Sequence, residues 1–82
     1  GGMVRVEGHT DNIPVAFSER FRSNWDLSSA RSAAVANYLL DNSNLEAGRV
    51  TITGLADSDP IADNDTAAGR AQNRRIEVIV DG

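Results

Sequence analysis

The 82-residue chain has no cysteine and no lysine, and it carries one histidine, two prolines, one tryptophan, one tyrosine and two phenylalanines. Without cysteine there is neither a disulfide staple nor a thiolate zinc site, and the composition fits either redox compartment. Eight basic against twelve acidic residues leave a net charge of −4 and a pI near 4.7. Nucleic-acid binders want a basic stripe and stacking rings, so this class is excluded as a partner. No apolar run approaches the roughly 20 residues that a membrane-spanning helix requires. Internal repeats and low-complexity tracts are missing as well.

What is present is an ordinary globular mixture, with 40% hydrophobic and 24% charged residues. The length allows one small core, burying about 60–65% of the unfolded surface. Gly1-Gly2 ahead of Met3 reads as an appended remnant, with one domain expected over 3–82. All eight basic residues are arginine. Codon usage would produce that, and so would sites needing a planar fork for carboxylates.

The pattern predicts strand, loop, helix, strand, loop, helix, strand. Met3-Val4-Arg5-Val6-Glu7 alternates with Val4 and Val6 on one face. Gly8-His9-Thr10-Asp11-Asn12 and Pro14 break it, and the stretch to Ser23 has no clean period. Asn24 or Asp26 is expected to cap a helix running to Leu40. Val50-Thr51-Ile52-Thr53-Gly54 alternates again, and Asp65 or Thr66 caps a short helix to Asn73. Arg75 to Val80 forms the last strand, with Ile76, Val78 and Val80 inward. Half-apolar strands alternating with helices imply an α+β two-layer sandwich, a βαβαβ core with helices on one face of a mixed sheet.

Helical spacing places Leu27, Ala34, Val35 and Tyr38 on one expected apolar stripe, with Arg31 inside it. A guanidinium facing a core needs a carboxylate or several acceptors, and Asp11 is the candidate. Two readings stand: a sealed Arg31–Asp11 ion pair bracing the fold, or an open pair. The open pair would receive a zwitterion, Arg31 on its carboxylate and Asp11 on its ammonium. Arg70, Asn73 and Arg74 share a face of the second helix. They either complement the helix C-terminus or add donors beside Arg31.

Other constellations are weaker. His9 and Asp11 have the strand spacing of a metal pair but no evident third ligand, so a hydrogen-bonded structural histidine and no metal are expected. Ser18, His9 and Asp11 can be nominated as a triad, yet no nucleophile-elbow sequence supports them. Asp57, Asp59, Asp63 and Asp65 suggest calcium, but Ile61 and Ala62 break the EF-hand pattern, leaving a solvated loop. Trp25 is expected to be a packing anchor rather than a sugar platform.

Taken in order, Gly8-His9-Thr10-Asp11, Asn24-x-x-Leu27-Ser28-x-x-Arg31, Gly54, Pro60, Asn64-x-Thr66, Gly69-Arg70-Ala71 and Asn73-Arg74-Arg75-Ile76-Glu77 resemble the OmpA-like peptidoglycan-binding domain. The resemblance covers nearly the whole chain, and the joint pattern is far more specific than any one piece. Asn12-Ile13-Pro14 and Ser23-Asn24-Trp25-Asp26-Leu27-Ser28, with the Ile13–Arg22 insertion, are similar to flagellar motor stator B subunits of the MotB and PomB type.

The resemblance implies that Asp11 and Arg31 hold the zwitterionic end of meso-diaminopimelate in the peptide stem. It implies that Asn24, Leu27, Asn73 and Arg74 belong to the same pocket, with Thr10 beside it. It further implies a non-catalytic wall anchor in the periplasm, part of an inner-membrane protein of a Gram-negative bacterium, that needs no cofactor. The stator A subunit, reached through a membrane segment outside this chain, and a second copy in a homodimer are the implied protein partners. A wall-binding module of an outer-membrane, lipoprotein or secretion-system protein is the alternative. The family domain normally begins with a further strand and helix, so an N-terminally truncated domain is expected.

Overall fold

The computed structural model describes residues 2–15 and 20–82. Along the chain come β1 (Met3–His9), α1 (Asn24–Asp41), a single 3-10 turn (Ala47–Arg49), β2 (Val50–Gly54), α2 (Ala67–Asn73) and β3 (Arg75–Asp81). The strands form one mixed sheet in the order β2-β1-β3, so β1 is central. It runs parallel to β2, from Val4 opposite Val50 to Gly8 opposite Gly54. It runs antiparallel to β3, from Met3 opposite Asp81 to His9 opposite Arg75. Parallel neighbours need a crossover, and α1 lies on it, packed against β1 and β2. The α+β reading of the sequence therefore holds.

Alternation decides which side of the sheet is covered. Val4, Val6 and Gly8 face α1, and Val6 is fully buried. In register beside them lie Val50 and Ile52 on β2, and Ile76, Val78 and Val80 on β3. The direction expected for β3 is correct, but cover does not extend that far: Val78 is 47% and Val80 69% exposed.

The helix corrects the sequence reading twice. Its cap is Ser23, whose hydroxyl accepts from the Asp26 amide, rather than Asn24 or Asp26. Its buried line is Ser28, Ser32 and Ala36, at i, i+4 and i+8, not the stripe of larger residues. Arg31 and Ala34 are exposed, and Tyr38 is 66% exposed. The cause lies in two glycines. A Cβ on Gly8 would collide with the Ser28 carbonyl and the Ser32 hydroxyl, and one on Gly54 with Ser28 and Ser29. The helix thus rests so close to the sheet that only hydroxymethyl and methyl groups fit between them. Ser32 Oγ spends its proton on the Thr53 carbonyl at 2.9 Å, so the buried hydroxyl is satisfied.

The second helix starts where expected, at Thr66, whose Oγ1 accepts from the Gly69 amide at 3.0 Å. A side chain at Gly69 would strike the Asp63 backbone, which explains a glycine inside a seven-residue helix.

Candidate ligand-binding site

At the end of the sheet where β1 and β2 finish, the chain turns twice. The Thr10 amide donates to the Ala56 carbonyl at 2.8 Å, and the Leu55 amide to the Gly8 carbonyl at 2.9 Å. Ala56 has a φ of 51°, the left-handed region that an L-residue enters at a cost of about 1–2 kcal/mol. Its amide donates to Ser28 Oγ at 3.0 Å, so bonds on both sides of the residue hold this conformation. The turn thereby locks the ends of both strands to the first turn of α1.

Asp11 sits in this frame and is 7% exposed. Its Oδ1 accepts from the Ile13 amide at 3.0 Å, closing an Asx turn. Its Oδ2 accepts from Arg74 Nη1 at 2.7 Å, a charge-assisted bond of good length. Thr10, 4% exposed, donates its hydroxyl to the Asp11 carbonyl at 2.8 Å. Asn24, in the first turn of α1, donates to the carbonyls of Asp11 at 3.3 Å and Ile13 at 3.1 Å. The loop carrying Asp11 is therefore tied to the helix start and to the C-cap of α2.

The sealed Arg31–Asp11 pair is not what forms: the cation on Asp11 is Arg74. Two residue types that match do not choose each other when another guanidinium reaches the carboxylate first. Arg31 is exposed and makes no hydrogen bond or ion pair with the described residues. It lines a cavity of about 320 Å³ with Arg20, Phe21, Leu27, Ala30 and Ala34, so Leu27 and Arg31 share one recess.

Asn73 is fully buried and its amide is spent internally. Oδ1 accepts from the amides of Ile61 at 2.8 Å and Ala62 at 2.9 Å. Nδ2 donates to the Ala62 carbonyl at 3.0 Å and to Asn64 Oδ1 at 2.8 Å. It is a latch that fixes the 61–64 loop under α2. Arg70 serves the same loop, donating to the Asn64 carbonyl at 2.9 Å, so it is not a free fork beside Arg31.

A second cavity of about 450 Å³ lies at the entry to α1, between Asn12, Pro14, Arg22, Asn24, Trp25 and Asp57. Trp25 is 54% exposed, so it is not the packing anchor expected. Asp57, Asp59, Asp63 and Asp65 are all exposed and form no group of metal-ligand spacing among the described residues. Ser18, nominated for a triad, lies outside the described residues. His9 groups instead with Glu7 and Glu77.

Comparison with known proteins supplies the relationship. The model of the OmpA family matches residues 2–74, which contain every residue of the candidate site. Motility protein B of Bacillus subtilis is 43% identical over 77 residues, covering 94% of this chain and 29% of its own length. Among solved structures, the cell wall anchor of the type VI secretion system from Pseudomonas aeruginosa superimposes with a TM-score of 0.85 at 47% identity, over 94% of this chain and 52% of that one. The C-terminal domain of MotB from Helicobacter pylori gives a TM-score of 0.89 at 26% identity, over 98% of this chain and 59% of that one. The chain thus spans under a third of the length of Motility protein B. By sequence and by fold, this chain belongs to the OmpA family.

Proposed function

We propose that the domain binds peptidoglycan without catalysis, through the zwitterionic end of diaminopimelate in the peptide stem, and anchors a flagellar motor stator to the cell wall. The observation that carries this reading is Arg31: an exposed guanidinium, unpaired among the described residues, lining a recess together with Leu27. A carboxylate arriving there gains a planar fork. The ammonium of the same ligand has Asp11 as its counter-charge, sharing or replacing Arg74 on Oδ2.

In this reading Asp11 and Arg31 touch the ligand, with Thr10, Asn24 and Leu27 around them. Asn73 positions Arg74 by fixing the loop against which α2 ends. The site then lies on the wall side of the cytoplasmic membrane, the periplasm, and the stator A subunit is engaged through membrane segments elsewhere in the protein. Two copies in a homodimer would each contribute one weak contact, and a polymer with many stems turns several such contacts into firm attachment through effective concentration.

The likeness to the secretion-system wall anchor favours one second reading, the same ligand held by a protein unrelated to the motor. A nuclear magnetic resonance titration with a diaminopimelate-containing muropeptide, and a lysine-containing stem as control, tests the binding itself. Saturable shifts on Asp11, Asn24 and Arg31 with the first ligand alone are expected. A flat titration with both overturns the site.

A further inference from the structure

The sheet face turned away from α1 carries a cluster that wall binding does not use. Arg5, Glu7 and His9 project from β1 on that side, and the register sets Glu7 opposite Glu77 and His9 opposite Arg75. Two carboxylates directly across an antiparallel pair repel. His9 is 1% exposed, and neither Nδ1 nor Nε2 has a hydrogen-bond partner among the described residues. A buried imidazole with both nitrogens unused is rare, because such groups are normally satisfied. Glu77 Oε2 lies 3.4 Å from His9 Nε2, so the ring is aimed at the acidic pair. One ligand atom from each of Glu7, His9 and Glu77 lies within 4.8 Å of the other two.

Two guanidinium groups frame the cluster. Arg5 Nε donates to Glu7 Oε2 at 2.8 Å and Arg75 Nε to Glu77 Oε2 at 2.6 Å. Both bonds fall on the same oxygen of each carboxylate, and they orient the groups as outer partners orient metal ligands. Glu77 Oε2, the oxygen nearest His9 Nε2, is thus shared with Arg75, and an ion would take it in place of that guanidinium or use the second oxygen. We propose that Glu7, His9 and Glu77 form a site for a divalent transition-metal ion, with zinc as its natural probe. One imidazole nitrogen and two carboxylate oxygens are a donor set that suits zinc, with water filling the fourth position. Ligand atoms around one zinc sit about 3.3 Å apart, so the triad must close slightly. The Glu side chains, 20% and 44% exposed, have the freedom to do it, while burial fixes the imidazole in advance. The ion would pin β1 to β3 two residues before Asp11, where the ligand loop leaves the sheet. This proposal stands apart from the wall-binding reading.

The test is calorimetric titration of the chain with zinc in a non-coordinating buffer, with nitrogen resonances of the imidazole followed in parallel. His9 is the chain's one histidine, so its signal is unambiguous. One equivalent of zinc should bind saturably, move the His9 nitrogen resonances and raise the thermal midpoint. Glu77→Gln, at a half-exposed position, should weaken binding at least tenfold with the fold intact, and His9→Gln should abolish it. Absence of saturable zinc binding, an undiminished affinity in Glu77→Gln, or an equal response to magnesium would overturn the site.

Discussion

Asp11 and Arg31 are unequal in what they do for the folded chain, and substitutions should separate them. Arg31 is exposed and makes no hydrogen bond or ion pair with the described residues, so Arg31→Gln should change stability by less than about 0.5 kcal/mol. Co-sedimentation with cell-wall sacculi should nevertheless be lost, and unchanged co-sedimentation would remove Arg31 from the site. Asp11→Asn keeps an oxygen for the Ile13 amide but drops the charge met by Arg74. With Arg74 half exposed, denaturation should show a loss of about 1 kcal/mol together with the loss of wall binding. Asn73→Ala is the opposite case. It strands the amides of Ile61 and Ala62 and the Ala62 carbonyl, and should cost about 3 kcal/mol in urea titration. At this scale the sequence placed Asp11 in a turn after β1 and Arg31 on a helix, as found. It did not show that Arg74, sixty-three positions from Asp11, would be the partner. Nor did it show that Asn73 faces inward, because an asparagine amide looks equally polar as a latch and as a ligand contact.

The elements were legible to within a residue or two, because alternation, caps and breakers are local signals. Val50–Gly54 and the start of β3 at Arg75 stand where the pattern put them, and the strand that was expected to stop at Glu7 runs on to His9. The face of α1 was not legible. Ranking side chains by size selects Leu27, Val35 and Tyr38, whereas the sheet selects Ser28, Ser32 and Ala36, since Gly8 and Gly54 bring the backbones together. This close approach is itself a prediction. Gly8→Ala and Gly54→Ala should each destabilise by about 1–3 kcal/mol through overpacking, measured by chemical denaturation. Gly48, with open space around its Cβ direction and no positive φ, is the control: Gly48→Ala should be neutral or stabilising by about 0.4–1 kcal/mol. Equal losses at all three glycines would mean that the helix does not rest on the sheet in this way.

For the molecule as a whole, among the described residues α1 covers one face of the sheet chiefly over β1 and β2, and β3 is an edge strand. Val78 and Val80 lie exposed on that edge, an arrangement that invites pairing. Sedimentation should show association that rises with concentration, and Val80→Lys should shift it toward monomer with little change in stability. A monomer at every concentration would refute this. Composition gave no hint of the bare edge, because Val78 and Val80 carry the same alternation whether or not something covers them. The register has a mechanical consequence too. Met3 lies beside Asp81 at one end of the sheet, while Asp11 leaves β1 at the other. A tether attached near Met3 and a load hung on the Asp11 loop would pull β1 along its own length. The rungs to β2 and β3 would then be sheared together rather than peeled one after another, and the central strand would give way only when both ladders slip at once.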